Sequence, residues 1–155
     1  MLLRPLLISF LPLVFSYNVL VINPRIGYSH SNYMGSVTDI LVDAGHNVTS
    51  LISIINENIE DGTKKSTKIH VHVPEEIRKK TAELFGPSFS KFEEKIINIP
   101  RQLMVGKLFG GLFASACKET LEQPRLLEKL RSSNFDVVLT ENFDVCGLGQ
   151  CHCIV

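Results

Sequence analysis

The chain carries no surplus charge of either sign: 16 basic residues stand against 16 acidic ones over 155 residues. It has no basic stripe of the kind that phosphate backbones require, so nucleic-acid binding has no electrostatic footing. Cysteine is scarce, with four in all. Cys117 and Cys146 stand apart, and Cys151 and Cys153 crowd the last five positions. A secreted disulfide framework is normally shorter and denser in cysteine, so this spacing predicts a fold that rests on its hydrophobic core. Zinc sites pair ligands with a second pair well separated, whereas Cys146, Cys151, His152 and Cys153 bunch toward one terminus; no metal site is expected. Gly106, Gly110 and Gly111 follow no strand and match no G-x-G-x-x-G, so a dinucleotide site has no support. No apolar run past the first sixteen residues reaches the roughly 20 that a spanning helix needs.

What is present begins with a leader. Arg4 supplies a positive start, Leu6 to Phe15 form an apolar core broken by Ser9 and Pro12, and Val14 and Ser16 are small enough for a signal-peptidase site. Residues 1–16 therefore read as a cleaved signal peptide, too short to span a bilayer. Its removal takes away one arginine and leaves a nearly neutral chain of about 140 residues, enough for one hydrophobic core. The remainder is expected to be a soluble domain, lumenal or secreted. In that compartment Asn47-Val48-Thr49 is a glycosylation sequon, which makes Asn47 a candidate modification site.

Periodicity predicts an α/β fold. Residues 18–23 are a continuous apolar run, as in a strand buried on both faces of a parallel sheet. From His30 the period becomes helical, with Tyr33, Met34, Val37, Ile40, Leu41 and Ala44 expected on one face against the sheet. Ser29 or Ser31 is placed to cap this helix, and Gly45 to end it in a left-handed conformation. Residues 48–52 then form a second strand, which makes a β-α-β unit. Residues 56–68 read as an exposed loop and 68–73 as a third strand, with His70 and His72 on its polar outer side. Helices are expected over 74–84, 101–121 and 124–131, the last opened by Pro124. Gly86-Pro87 breaks the first of them, and the segment from Phe89 to Ile99 has no clear period. Residues 136–140 form a further short buried strand. Strands alternating with helices imply helices packed on both sides of a parallel sheet.

Ligands of open parallel sheets bind at the carboxyl ends of the strands. Two loops deliver chemistry there: Ser29-His30 after the first strand, and Glu141 after the strand at 136–140. A carboxylate beside an imidazole fixes the tautomer and stabilises the imidazolium formed on proton uptake, which makes a general base. Position alone leaves His30 open to the reading that it is a cap or a surface residue.

A resemblance narrows this. Val19-Leu20-Val21, Ser29-His30-Ser31-Asn32-Tyr33-Met34-Gly35 and Ala44-Gly45-His46-Asn47-Val48-Thr49 resemble the opening of the UDP-glycosyltransferase family, its invertebrate members especially. Leu126 to Leu130, Phe135 to Glu141, Phe143-Asp144 and Cys146-Gly147 resemble the family's next landmark, in the right order and at the right distance. The resemblance implies a Rossmann-like domain over residues 17–149, the acceptor-binding, N-terminal half of a GT-B glycosyltransferase of glucuronosyltransferase type. It implies that His30 deprotonates the hydroxyl of a small lipophilic acceptor, and that Glu141, where vertebrate members usually have Asp, supports it. Transfer would be inverting, from a UDP-sugar co-substrate, UDP-glucuronate by default and UDP-glucose as runner-up, with no cofactor. It further implies the endoplasmic reticulum lumen or secretion, and homo- or hetero-dimers with full-length members. The sugar-nucleotide signature does not occur here, and residues 150–155 diverge from the family as a short tail. A non-catalytic truncated product that binds acceptor or modulates the full-length enzyme is the alternative.

Overall fold

The computed structural model describes residues 15–84, 99–142, 147–149 and 154. Most of the expected signal peptide (1–14), the Gly86-Pro87 break, the segment from Phe89 to 98 and the cluster of Cys146, Cys151, His152 and Cys153 lie outside these residues, as does most of the 150–155 tail. Within them, strands β1 (Asn18–Arg25), β2 (Asn47–Ile54), β3 (Thr67–His72) and β4 (Val137–Leu139) form one sheet in the order β3-β2-β1-β4. Every pairing is parallel. Helices α1 (Tyr28–Asp43), α2 (Glu75–Leu84), α3 (Ile99–Leu121) and α4 (Pro124–Ser132) connect them. This is the expected α/β, Rossmann-like architecture, consistent with the N-terminal half of a GT-B enzyme.

Alternation along β1 builds two layers of core. Val19 and Val21 pack with Met34 of α1 and Val48 of β2. Leu20 and Ile22 point the other way, to Leu51, Val71 and Leu130 of α4. A third cluster joins Ile26, Ile55 and Val73 to Leu112, Phe113 and Ala116 of α3 beyond the carboxyl ends of the strands. Burying each large aliphatic side chain stabilises the fold by about 1.5–3 kcal/mol relative to exposure, so the unbroken apolar run of β1 is the sheet's centre.

Several expectations are corrected. The buried stripe of α1 is Ser31, Met34, Gly35 and Thr38. Tyr33 and Ile40, expected inside, are 63% and 66% exposed. Small residues lie inside because backbone from the β2–β3 loop passes close over them. Neither Ser29 nor Ser31 caps the helix: the N-cap is Gly27, in extended conformation, with no side-chain cap bond. Gly45 does end α1, with φ +90°. β4 is less buried than expected: Val137 is 41% exposed, because among the described residues β1 is the one strand paired with it. The glycines of α3 do not interrupt it. Cys117 on α3 is disulfide-bonded, so the core is not the fold's sole support. No helix among the described residues is long and apolar enough to cross a membrane.

Candidate active site

The sheet order creates the site. The chain leaves β1 through α1 toward β2 on one side, whereas β4 lies on the other side of β1. Their carboxyl ends therefore diverge, and the crevice between such loops is where parallel sheets bind ligands. The register Val19↔Val137, Leu20↔Val138, Val21↔Leu139 sets Thr140-Glu141 just beyond the end of β4. His30 sits in the first turn of α1. Residues 111 apart in sequence thus meet, with His30 Nδ1 3.1 Å from Glu141 Oε1.

An ionised carboxylate can only accept, so Nδ1–H donates and the lone pair of the neutral ring resides on Nε2. The ring is 45% exposed and the carboxylate 13%. Glu141 Oε2 is buried with no hydrogen-bond partner among the described residues. Gly27 lies beneath the ring: a Cβ there would stand 3.3 Å from His30 Cδ2. Tyr33, Met34, Val37 and Leu139 line a hollow of about 340 Å³ that ends at Thr140, Glu141 and Asn142. A larger hollow of about 650 Å³ lies on the β2–β3 loop side of α1, among Arg25, Tyr28, Asn32, Asp61 and Lys68; neither His30 nor Glu141 lines it.

The β2–β3 loop, expected to be an exposed connection, is strapped to the site's support. Asp61 accepts from Arg25 Nη1 at 2.8 Å, contacts His70 Nε2 at 3.0 Å and lies 3.3 Å from Lys68 Nζ. Burial alone would raise its carboxyl, but these three partners outweigh that and hold it below the usual range. Asp39 of α1 accepts from Thr63 Oγ1 at 2.6 Å and from the Lys64 and Lys65 amides at 3.0 and 3.1 Å. Burial would raise Asp39 as well, and again the donors prevail and lower it. Sequence reasoning missed Asp39, Gly35 and Gly62; a signal was present in Asp61-Gly62-Thr63, a turn-forming run, but its partner on α1 has no sequence mark.

His70 lies outside the His30–Glu141 pair, on the outer side of β3 as expected, with Asp61 as its partner. Asn47 opens β2 at the opposite, amino end of the sheet, exposed, with Nδ2 donating to Asn18 Oδ1 at 2.8 Å. No group of three or more His, Cys, Asp or Glu side chains among the described residues could hold a metal ion.

The geometry defines a parallel α/β, Rossmann-like domain in which a histidine and a carboxylate meet beyond the carboxyl ends of β1 and β4. Residues 18–152 match the family model described as "UDP-glucoronosyl and UDP-glucosyl transferase", and the chain belongs to this family. Relatives include the Caenorhabditis briggsae protein named "Putative UDP-glucuronosyltransferase ugt-47", 32% identical over 88% of this chain and 25% of its own length. The Caenorhabditis elegans protein of the same name is 31% identical over 86% of this chain and 25% of its own length. Bovine UDP-glucuronosyltransferase 3A1 is 29% identical over 78% of this chain and 23% of its own length. The chain thus spans about a quarter of the length of the curated relatives it matches. No solved structure matches it.

Proposed function

We propose that this chain is the acceptor-binding and base-supplying portion of a UDP-glycosyltransferase of glucuronosyltransferase type. The observation that carries the reading is the 3.1 Å contact between His30 Nδ1 and Glu141 Oε1 at the divergence of β1 and β4. Glu141 holds the ring so that Nε2 accepts the proton of the acceptor's hydroxyl and stabilises the imidazolium that results. The oxygen then attacks the anomeric carbon of a UDP-sugar in line; the carbon–oxygen bond to UDP breaks and the configuration inverts. The donor is UDP-glucuronate, with UDP-glucose the runner-up. The apolar hollow of Tyr33, Met34, Val37 and Leu139 suits the body of a small lipophilic acceptor, with its hydroxyl toward the pair. Glu141 stands where vertebrate members usually have Asp, and its carboxylate reaches His30 Nδ1 at 3.1 Å. Lumenal or secreted placement is supported by the leader, by the exposed Asn47 sequon and by the disulfide at Cys117.

The test is UDP release in a full-length protein carrying this domain, with and without His30→Ala. General-base removal costs about 10²–10⁴-fold in turnover. A His30→Ala protein turning over at the unsubstituted rate sinks the assignment. The isolated chain should release no UDP from either donor, as expected both of a half-site and of the non-catalytic alternative, a truncated product that binds acceptor or pairs with full-length enzyme. The two diverge on adding back full-length enzyme: a modulator changes its rate, an inert half does not.

A further inference from the structure

α1 carries His30 but lacks the usual means of holding its own first turn. Its N-cap, Gly27, offers no side-chain acceptor, and no acidic residue occupies the first turn. An uncapped helix start leaves up to four amide donors without intrahelical partners and frays readily. Fraying would move His30 away from Glu141, whose place is set independently by the β1–β4 ladder.

Another element occupies this turn from outside. The backbone at Gly62 crosses α1 so closely that a Cβ on Gly35 would come within 3.0 Å of the Gly62 carbonyl group and the Thr63 nitrogen. In reverse, a Cβ on Gly62 would collide with the carbonyl of Ser31, the residue after His30. Ser31 is buried as a result. Two facing glycines permit this approach but cannot fasten it, because neither has a side chain. Asp39, one turn beyond Gly35, supplies the fastening: its carboxylate gathers the Thr63 hydroxyl and two successive amides. On the strand side, Asn23 Nδ2 donates to the Asp61 carbonyl at 3.2 Å. The loop is thus tied to β1 before the crossing and to α1 after it.

We propose that Gly35, Gly62 and Asp39 form a clasp that positions His30 by pinning the backbone that follows it, in a helix whose start has no side-chain cap. The three act through the backbone of Ser31–Gly35. The inference rests on the base role assigned to His30 above, and its test must separate the two.

The readout is the imidazole ¹⁵N spectrum of the chain near neutral pH, with the His30 signals assigned by their loss in His30→Gln. In the unsubstituted chain His30 should show a hydrogen-bonded Nδ1–H. Asp39→Asn weakens the fastening and should abolish or broaden that resonance, leaving the His46 signals in place. Thr63→Val removes one donor, keeps the shape, and carries the same expectation should Asp39→Asn fail to fold. Thr81→Val, which deletes the hydroxyl bonded to the Ile77 carbonyl in α2, controls for general destabilisation and should leave His30 unchanged. A folded Asp39→Asn or Thr63→Val chain with an unaltered His30 resonance overturns the clasp. So does a Thr81→Val chain that loses it equally. Absence of the Nδ1–H resonance in the unsubstituted chain overturns the histidine–carboxylate pairing itself, and the clasp with it, which distinguishes that failure from the first two.

Discussion

Replacing glycine by alanine inside a helix ordinarily stabilises a protein, and in α1 the structure reverses that sign. Helix propensity favours Gly35→Ala by about 1 kcal/mol. Against this, the new methyl meets Gly62 and Thr63 backbone inside 3.0 Å, where no rotamer can give way. Overpacking of this kind costs about 1–3 kcal/mol, and backbone on the receiving side puts it at the upper end. The net expectation is a loss of about 2 kcal/mol. In a chain of this size that lowers Tm by roughly 6–8 °C, at about 3–4 °C per kcal/mol. Gly110→Ala on α3 is the matched control: a Cβ there meets nothing within 4 Å among the described residues. It should gain the propensity term alone, about 0.5–1 kcal/mol, and raise Tm by roughly 2–4 °C. Thermal unfolding of both variants, followed by far-ultraviolet circular dichroism, gives the comparison directly. Two alanines that shift Tm in the same direction would refute the reasoning, because the loop would then not cross α1 at Gly35.

Acid should reveal the ties at Asp61. Its carboxyl lies below the usual range when folded, so the unfolded chain binds the proton first as pH falls. The stabilisation is complete above the ordinary carboxyl value of about 4 and is lost as pH drops through the folded one. Asp61→Asn should therefore be less stable than the unsubstituted chain at pH 7, with the gap closing below about pH 4 in urea titrations; a gap independent of pH contradicts the assignment. At the other end of the sheet, Asn47→Gln should abolish any glycosidase-sensitive mobility shift of the chain expressed through a secretory pathway. A shift that survives the substitution rules Asn47 out as the modified residue.

The sheet was legible because its signal is local. Val19 to Ile22 form an unbroken apolar run, and burial on both faces of a parallel strand is the arrangement that calls for one. The termination of α1 was legible for the same reason, since Gly45 alone decides it. The phase of α1 was not. Tyr33 and Ile40 have the hydrophobicity of core residues, yet Ser31, Gly35 and Thr38 lie inside, because what packs there is partly backbone and backbone needs small neighbours. A periodicity argument weighs side chains and cannot register a passing main chain. His30 and Glu141 were both picked out by where their strands end, but their distance depends on the β1–β4 register, which no local pattern carries.

The two halves of the pair are consequently supported by different physics. Glu141 follows a three-residue strand with one partner among the described residues, and its buried Oε2 has no bond there to offset desolvation. A buried carboxylate oxygen without a partner is costly, so the contact from His30 to Oε1 steadies Glu141 as much as Glu141 orients the ring. His30, half-exposed on an uncapped turn, draws its order from the β2–β3 loop instead. Glu141 is placed by the β1–β4 ladder and His30 by the loop, so loosening the loop separates the pair. Sensitivity to substitution should therefore extend from the pair through Ser31–Gly35 to Asp39 and Gly62, and should fall away on the outward face of α1 where Ile40 lies exposed.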